Sequence, residues 1–393
     1  MEKFTKKVAS ILMSLSIILT SSCAQRVTVV DENASTEKFI FNDDETVVLG
    51  KMSLREKVGQ LFIVRPEALA ENSNAETAPA TDRVDDAVIS RIEEYPVGGI
   101  ALFSRNITSA EQLPMFISDL QSSSKYPLFI AVDEEGGRVA RIANSDFFNV
   151  ASYKSMEDIG KSGDASKAEE VGRQIGSYLK ELGFNLDFAP VADTNTNPQN
   201  IVIGDRSYGS DPALVARMVS AQLDGMHDSG IMGTLKHFPG HGDTKDDTHS
   251  GYVSIEKTWD ELKECELVPF ITALPKADMV MVSHITAVNV TSDKLPTSMS
   301  ETMITGKLRN ELGYDGVIIT DAMAMGAVAD NYTSAEAAVT AVKAGVDIVL
   351  MPQNLNEAFN GVMNAVTDGE ISMERLDESV LRILKMKAKY KLI

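Results

Sequence analysis

Short apolar runs alternate with amphipathic stretches along most of the chain. Eight of these runs have the length of buried strands, and a helical pattern or a long loop follows each one. They lie at residues 60–64, 98–103, 128–132, 185–189, 232–236, 279–283, 316–320 and 347–350. The clearest helical patterns lie at 168–182, 211–229, 333–344 and 372–390. Eight β/α alternations predict an α/β fold, a single-domain (β/α)8 TIM barrel, with a doubly wound open sheet as the alternative.

The first residues predict an export signal. Three lysines within the first seven residues precede an apolar run at 11–19, and small residues then lead to Cys23. This order predicts a signal peptide over 1–22, whose apolar run is too short to span a membrane. Because a cysteine stands at the cut, the segment resembles a bacterial lipoprotein signal. We expect Cys23 to carry lipid that anchors the exported protein to the outer face of the cytoplasmic membrane. The alternative is an ordinary secretory signal cleaved nearby.

Composition and charge limit the classes of function that remain. Residues 23–47 are polar and acidic, which predicts a flexible tether, and the barrel is expected over 48–393. A Ser-x-x-Glu capping box at Ser53 predicts the start of a helix. The net charge of −20 argues against a nucleic-acid partner and against electrostatic attraction to anionic lipid. Cys265 is the only other cysteine, so no intrachain disulfide is possible if Cys23 carries lipid.

Polar side chains, together with one methionine, gather just beyond the predicted strands, at the end where a barrel carries its active site. These residues are Arg105, Asn106, Asp133, Glu134, Glu135, Asp193, Arg206, Lys236, His237, His284, Asp321 and Met351. For any single residue the alternative is a solvated charge or a strand-end cap. The whole set on one predicted rim favours an active site built from several separate segments.

Three of the five histidines lie within residues 235–249. The stretch from Pro239 to Ser250 contains two glycines and no large apolar residue, which predicts a surface loop. One interpretation is a solvated loop without a chemical role. A second is a metal site, but the spacing matches no familiar Cys/His pattern and Lys236 would repel a cation. The ligands of such a site would be His237, His241, Asp247 and His249.

The third interpretation of this loop is acid/base chemistry by the pair Asp247 and His249. In an extended segment, residues two apart point to the same side, so the carboxylate can reach the imidazole. That contact would fix the tautomer of His249 and raise its pKa, which makes the ring a usable proton donor near neutral pH.

Four sequence blocks together resemble glycoside hydrolase family 3, in its β-N-acetylglucosaminidase branch. They are Ala-Val-Asp-Glu-Glu-Gly-Gly-Arg-Val-Ala-Arg at 131–141, Asp-Arg-Ser-Tyr-Gly at 205–209, Lys-His-Phe-Pro-Gly-His-Gly at 236–242 with Asp-Thr-His at 247–249, and Ile-Thr-Asp-Ala-Met at 319–323. The resemblance covers about residues 50–370, with the motifs in the same order. Thr248 departs from the serine that branch members usually show, and the Asp-x-His spacing is kept.

The resemblance implies a TIM barrel and a retaining hydrolase that removes terminal N-acetylglucosamine, with no cofactor and no metal. It implies Asp321 as the nucleophile and His249 as the acid/base, oriented by Asp247. It implies that five further residues contact sugar hydroxyls: Asp133, Arg141, Arg206, Lys236 and His237. Many relatives carry a second domain that supplies a glutamate as the acid. We expect this chain to take its proton donor from the barrel, with Glu134 or Glu135 as the next carboxyls to consider.

Several outcomes remain open for a protein of this kind. The substrate is a carbohydrate, either a cell-wall fragment or a chitin-type oligosaccharide. A neutral imidazole does not repel an anionic acceptor as a carboxylate would, so phosphorolysis of the same glycosides is an alternative to hydrolysis. A β-glucosidase-type hydrolase is a second alternative. The alternative outside enzymes is a lipoprotein that binds sugar without turning it over.

Overall fold

A computed structural model describes residues 44–70, 78–244 and 253–393. Seven of the eight predicted apolar runs contain a strand of one large sheet, and the run at 232–236 begins a strand that continues to Phe238. The strands are Phe62–Val64, Gly99–Leu102, Phe129–Val132, Leu186–Asp187, Met232–Phe238, Met279–Val282, Val317–Thr320 and Val349–Leu350. They are called the first to the eighth strand below.

The eight strands form a parallel sheet whose spatial order follows the chain. Each of the first seven strands pairs with its neighbour in sequence, and the eighth pairs with the first. A parallel bridge between Ile319 and Ile348 joins the seventh strand to the segment entering the eighth, so the barrel is nearly closed. The arrangement is consistent with the predicted (β/α)8 barrel. The doubly wound alternative is wrong, because its strand order would reverse within the sheet.

Helices cover the outside of the described sheet, and the predicted ones lie within a few residues of their expected bounds. Ser53 and Glu56 form the predicted capping box, in which the Ser53 N–H donates to Glu56 Oε2 at 2.7 Å. The α-helices are Glu45–Lys51, Leu54–Gln60, Asp86–Glu94, Gln112–Ser123, Met156–Gly160, Ala165–Leu182, Pro212–Asp228, Trp259–Glu264, Val268–Ala273, Gly326–Ala329, Ser334–Ala344, Leu355–Thr367 and Met373–Lys389, and Thr302–Glu311 is a π-helix. Short 3-10 turns are Pro66–Leu69, Ser104–Asn106, Gly204–Arg206 and Thr297–Met299.

The first described helix, Glu45–Lys51, begins inside the segment predicted as a tether. Asp44 caps it, and Val48 is buried against the rest of the fold. The three consecutive apolar residues at 47–49, set in a polar stretch, gave no helical period, so the sequence pattern did not reveal this helix. Within the described residues, no helix combines the length and the apolar character required to cross a bilayer.

The last helix, Met373–Lys389, is held at the amino ends of the strands by buried polar groups. Asp347, just before the eighth strand, accepts hydrogen bonds from Ser379 at 2.6 Å and Arg382 at 3.3 Å. Asp278, just before the sixth strand, pairs with Lys389 at 2.6 Å. Because these contacts lie at the opposite end of the barrel from the predicted site, they serve stability.

Candidate active site

A cavity of about 580 Å³ lies at the carboxyl ends of the strands. Six of the predicted site residues line it together: Asp133, Arg141, Arg206, Lys236, His237 and Asp321. They come from the loops after the third, fourth and seventh strands and from the end of the fifth strand, so the fold brings distant segments to one place, as the rim pattern predicted. The predicted acid/base pair Asp247 and His249 and the predicted lipid site Cys23 lie outside the described residues.

Four charged side chains form a compact network on one wall of the cavity. Lys236 Nζ lies 2.8 Å from Asp133 Oδ1 and 2.6 Å from Glu135 Oε1. Arg206 holds Glu135 through two bonds of 2.7 Å each. Burial raises the pKa of Glu135, but the charges of Arg206 and Lys236 outweigh it and lower that pKa well below its usual range. Glu135 is therefore a fixed anion and unsuited to donate a proton.

Glu134 points away from the cavity, whereas its two sequence neighbours, Asp133 and Glu135, line the cavity. Its carboxylate accepts hydrogen bonds from the Ile142 and Ala143 N–H groups and from the Tyr178 hydroxyl, each at 2.8 Å. Burial raises its pKa. The strands Glu134–Gly136 and Val139–Ala140 form a short antiparallel hairpin. Glu134 thus fixes the segment that follows this hairpin and presents Arg141, and it does not face a substrate. Neither Glu134 nor Glu135, the alternative proton donors of the sequence analysis, is placed to act as the acid.

Asp193 holds two histidines of the Lys-His-Phe-Pro-Gly-His-Gly block, His237 through its ring and His241 through its backbone. It is fully buried, and Oδ2 lies 2.7 Å from His237 Nδ1 while Oδ1 accepts the His241 N–H at 2.6 Å. Nδ1 of His237 is therefore assigned as the protonated nitrogen, which leaves Nε2 facing Arg206 Nη2 at 3.4 Å. The sequence placed Asp193 on the rim without a role. Its role in orienting the His237 ring depends on burial, which spacing alone did not reveal.

The predicted surface loop is wrong for its described part, residues 239–244. His241 is only 2% exposed, and its carbonyl accepts a hydrogen bond from Asn200 Nδ2 at 2.7 Å. A Cβ atom at Gly242 would lie 1.9 Å from the Thr194 carbonyl oxygen, so the two loops touch through their backbones. A polar stretch can be buried when a neighbouring loop satisfies its backbone groups, as this one does.

His241 is a cavity residue that the sequence analysis considered only as a metal ligand. Nδ1 lies 2.7 Å from Thr244 Oγ1, and the buried Nε2 has no hydrogen-bond partner in the described part of the chain. Burial lowers the pKa of His241, which favours a neutral ring. Of the four proposed metal ligands, only His237 and His241 are described, and no group of three His, Cys, Asp or Glu that could hold a metal occurs among the described residues.

Asp321 stands at the end of the seventh strand, and one of its oxygens is unbonded within the described residues. Its N–H donates to the Val282 carbonyl at 2.9 Å, and Oδ1 accepts the Ala322 N–H at 2.7 Å. Oδ2 accepts no hydrogen bond from the described residues. Burial raises the pKa of Asp321, but the imidazoles of His237 and His284 outweigh it, and the pKa is lowered. An ionised carboxylate on a rigid strand end is suited to attack a carbon atom.

The other predicted rim residues support the site or frame it. His284 is buried, with Nδ1 2.8 Å from Ser298 Oγ and Nε2 2.9 Å from the Ala322 carbonyl, so it holds the backbone beside Asp321. Asn106 donates to buried Glu67 at 2.8 Å, and Arg105 lies 3.4 Å from the same carboxylate. Met351 lines the cavity.

Comparisons with known proteins find similar proteins over most of the chain. Residues 53–386 match the family described as glycosyl hydrolase family 3 N terminal domain. β-Hexosaminidase A of Pseudoalteromonas piscicida is 36% identical over 329 residues, and the match covers 76% of this chain but only 54% of that relative, about half its length. β-Hexosaminidase LpqI of Mycobacterium tuberculosis is 32% identical over 349 residues, covering 86% of this chain and 83% of the relative.

A solved structure shows the same similarity in three dimensions. A glycoside hydrolase family 3 β-N-acetylglucosaminidase from Paenibacillus sp. FPU-7 superposes with a TM-score of 0.80 at 37% identity. The superposition covers 87% of this chain and 63% of that one.

Proposed function

The chain belongs to glycoside hydrolase family 3, and from that premise we propose that it is a retaining exo-β-N-acetylglucosaminidase. Family membership makes it a glycoside hydrolase, and the relatives named β-hexosaminidase support the β-N-acetylhexosaminidase type. Its substrate in this proposal is a cell-wall or chitin-type oligosaccharide with a terminal N-acetylglucosamine. The observation that carries the proposal is the ionised Asp321 carboxylate, whose free oxygen shares one cavity with the Asp133–Glu135–Arg206–Lys236 network.

In the first step Asp321 is the nucleophile. Its Oδ2 atom attacks the anomeric carbon, the bond from that carbon to the leaving oxygen breaks, and the leaving oxygen takes a proton. The result is a covalent glycosyl-aspartate. In the second step a water molecule attacks the same carbon, loses a proton to the base, and releases Asp321. Two inversions give a product that retains the β configuration.

The proton donor and base in this proposal is His249, oriented by Asp247. Both assignments rest on the sequence motif. The environments of the two alternative acids support them indirectly. Glu135 is held between two cations and Glu134 faces away from the cavity, so neither can take the place of His249 as the acid. A histidine that is hydrogen-bonded to an aspartate can donate and accept a proton near neutral pH. Both steps need such a group.

Sugar hydroxyls are proposed to bind to the polar wall. Asp133 supplies acceptor oxygens, Lys236 and Arg206 supply charged donors, and His237 supplies the Nε2 acceptor, while Arg141 lies 3.4 Å from Asp133. Since these groups already hold one another, they need little rearrangement when the substrate arrives. Such preorganisation favours a fixed orientation of the anomeric carbon above Asp321.

The proposed organisation of the whole chain follows the sequence prediction. Residues 1–22 are a lipoprotein-type signal peptide, 23–47 a tether whose last three residues already belong to the first helix, and 48–393 a TIM-barrel catalytic domain. Lipid on Cys23 anchors the exported enzyme to the outer face of the cytoplasmic membrane. This proposal rests on the charged, apolar, small and cysteine order of the amino terminus.

The test is release of p-nitrophenol from p-nitrophenyl N-acetyl-β-glucosaminide, compared with p-nitrophenyl β-glucoside. We expect the N-acetyl substrate to be preferred, and the first-formed product to be the β anomer of N-acetylglucosamine by proton NMR. Parallel reactions with inorganic phosphate distinguish hydrolysis from phosphorolysis, which would give the sugar 1-phosphate. No turnover of either glycoside would leave a sugar-binding lipoprotein as the interpretation.

A matched pair of variants locates the chemistry. Asp321→Asn should lose turnover, while Asp330→Asn, a change of the same size at another carboxylate that lines the cavity, should keep most of it. Equal losses in the two variants would contradict the assignment of Asp321 as the nucleophile.

A further inference from the structure

Three charged side chains join the two segments that flank residues 245–252. Asp243 precedes these residues and Lys257 follows them, and Lys257 Nζ lies 3.2 Å from Asp243 Oδ2. Lys257 also forms an ion pair with the buried carboxylate of Glu266. The first segment packs on the same side chain, because a Cβ atom at Gly240 would lie 2.7 Å from Glu266 Cβ. The ion-pair chain Asp243–Lys257–Glu266 therefore ties both segments to one buried residue.

The segment before residue 245 is also held by the neighbouring loop. Thr196 Oγ1 donates to Asp243 Oδ1 at 3.1 Å, and Asn197 Nδ2 donates to the Thr244 carbonyl at 3.1 Å. Asp243 is thus held from two directions, because one of its oxygens contacts this loop and the other contacts Lys257. This segment has a fixed position as far as Thr244.

The segment after residue 252 is attached to the structure around the proposed nucleophile. Val253–Ile255 pairs in parallel with the short strand Ile285–Ala287. That strand begins directly after His284, whose Nε2 lies 2.9 Å from the carbonyl of Ala322, the residue next to Asp321. The second flanking segment therefore has a defined position relative to the nucleophile.

We propose that Lys257 and Asp243 are positioning residues for His249, the acid/base of the proposed function, which lies between them in sequence. Their ion pair fixes the separation of the two flanking segments, and so fixes the points where residues 245–252 begin and end. Holding both ends of a chain segment reduces the number of conformations open to it. Less entropy is then lost when the proton donor is brought to the leaving oxygen. The inference rests on the proposed role of His249.

The charges in this ion-pair chain favour a permanent contact. Burial lowers the pKa of Lys257, but its hydrogen bonds and charge interactions with Glu266 and Asp243 outweigh that effect, so the pKa is raised and the ammonium stays charged. Glu266 Oε2 has no hydrogen-bond partner within the described residues, so the burial of this carboxylate depends on Lys257. The Asp243 side chain is 38% exposed, so its ion pair can be removed without leaving a buried charge unpaired.

A matched pair of substitutions isolates the contact between the two segments. Asp243→Asn keeps the shape of the side chain, weakens the ion pair, and leaves Lys257 paired with Glu266. Asp260→Asn is the control, because it removes an exposed aspartate from an ion pair of 2.7 Å with Lys263 in the helix that follows.

Lys257 is tested in two further variants. Lys257→Met alone would leave the buried Glu266 carboxylate unpaired and could unfold the protein, so the lysine is removed in the double variant Lys257→Met/Glu266→Gln. Lys257→Arg keeps a positive charge that can reach both carboxylates, and should retain most of the positioning effect.

The readout is the ratio of kcat/KM for GlcNAc-β-1,4-GlcNAc to kcat/KM for 2,4-dinitrophenyl N-acetyl-β-glucosaminide. Both constants report formation of the covalent intermediate, but only the disaccharide needs a proton donor. Asp243→Asn should lower the ratio about tenfold or more, since a misplacement of about 1 Å can cost about a hundredfold in rate. The double variant should lower it similarly, and Asp260→Asn should leave it near the wild-type value.

Combination with His249→Ala separates positioning from a general structural effect. Because Asp243 acts through His249 in this proposal, adding Asp243→Asn to His249→Ala should lower the ratio no further. An unchanged ratio in Asp243→Asn would overturn the inference, as would equal losses on the two substrates. A further loss of the ratio in the combined variant would also overturn it.

Failure of the proposed function would be recognised separately, because His249→Ala alone would then lose equally on the two substrates. Hydrogen–deuterium exchange, measured by mass spectrometry on peptides that contain residues 245–252, tests the ion-pair chain without turnover. Faster exchange in Asp243→Asn than in the wild type and in Asp260→Asn would support fixation of these residues by the ion pair. Equal exchange in the three proteins would overturn it.

Discussion

Lys387 offers a sharp physical test of how the barrel is closed at its amino end. It lies fully buried in the helix Met373–Lys389, and its Nζ donates to Gln60 Oε1 at 2.7 Å and to the Gly98 carbonyl at 3.1 Å. The Phe129 ring centroid lies 4.8 Å away. No carboxylate pairs with Lys387 in the described part of the chain, and burial lowers its pKa to about 7 from 10.5.

The perturbation is Lys387→Met, which keeps the side-chain length and removes the ammonium. Below pH 7 the wild type carries this charge in both the folded and the unfolded state, so the folded protein has the full cost of burying it. A pKa difference of 3.5 units corresponds to roughly 5 kcal/mol, at about 1.4 kcal/mol per unit. Methionine removes that cost. It also leaves Gln60 Oε1 without its donor, which costs about 1–3 kcal/mol.

The sign of the effect depends on pH. Between the folded pKa of about 7 and the unfolded value of 10.5, the unfolded state binds more protons, so the stability of the wild type rises with pH. We therefore expect Lys387→Met to be more stable than the wild type by about 2–4 kcal/mol at pH 6. At pH 10 the order should reverse, because the burial cost has nearly disappeared while the lost hydrogen bond remains.

Urea unfolding followed by circular dichroism at pH 6, 8 and 10 measures both proteins. Other titrating groups are common to the two chains and cancel in the difference between them. Lys385→Met, at an exposed lysine of the same helix, is the control and should change stability by less than about 0.5 kcal/mol with no pH trend. A Lys387→Met difference that is the same at all three pH values would refute the reasoning.

Further predictions concern the catalytic residues and the anchor. Asp321→Ala should remove nearly all turnover with unchanged circular dichroism, and near-wild-type activity in that variant would exclude it as the nucleophile. His249→Ala should lose orders of magnitude on a disaccharide but far less in glycosylation by a 2,4-dinitrophenyl glycoside, and azide should rescue it as the β-glycosyl azide; equal losses on both substrates would point to a binding role. Asp247→Asn should act in the same direction but more weakly, as the same two substrates will show. Cys23→Ala should move the protein from the membrane fraction to the soluble fraction, and an unchanged distribution would count against lipidation.

The barrel could be predicted from sequence because its strands are short, apolar and separated by helical periods. In a parallel barrel all strands end on one face, so a residue's position just after a strand is enough to place it near the site. This is why Asp133, Lys236 and Asp321, far apart in the chain, were expected together. The capping box at Ser53 was predictable for a similar reason, since it depends only on local spacing.

Burial by a neighbouring loop could not be predicted in the same way. His241 and Gly242 belong to a polar stretch, and only contact with Thr194 and Asn200 makes it an interior one. No local pattern in either segment records that contact. The orienting role of Asp193 depends on the same packing, so residue type and spacing identified it as a rim residue but could not assign its partners.

The three consecutive acids after the third strand show how environment divides similar side chains among different roles. Asp133 faces the cavity with Lys236 2.8 Å away, Glu134 turns away to accept the Tyr178 hydroxyl, and Glu135 returns to the cavity between two cations. Asp321 instead has a backbone N–H on one oxygen and nothing described on the other. A paired carboxylate is held in place by its cation and is a poor nucleophile, whereas an ionised and unpaired one keeps a lone pair available to the anomeric carbon. Pairing therefore separates the fixed anions of the binding wall from the carboxylate that is free to attack.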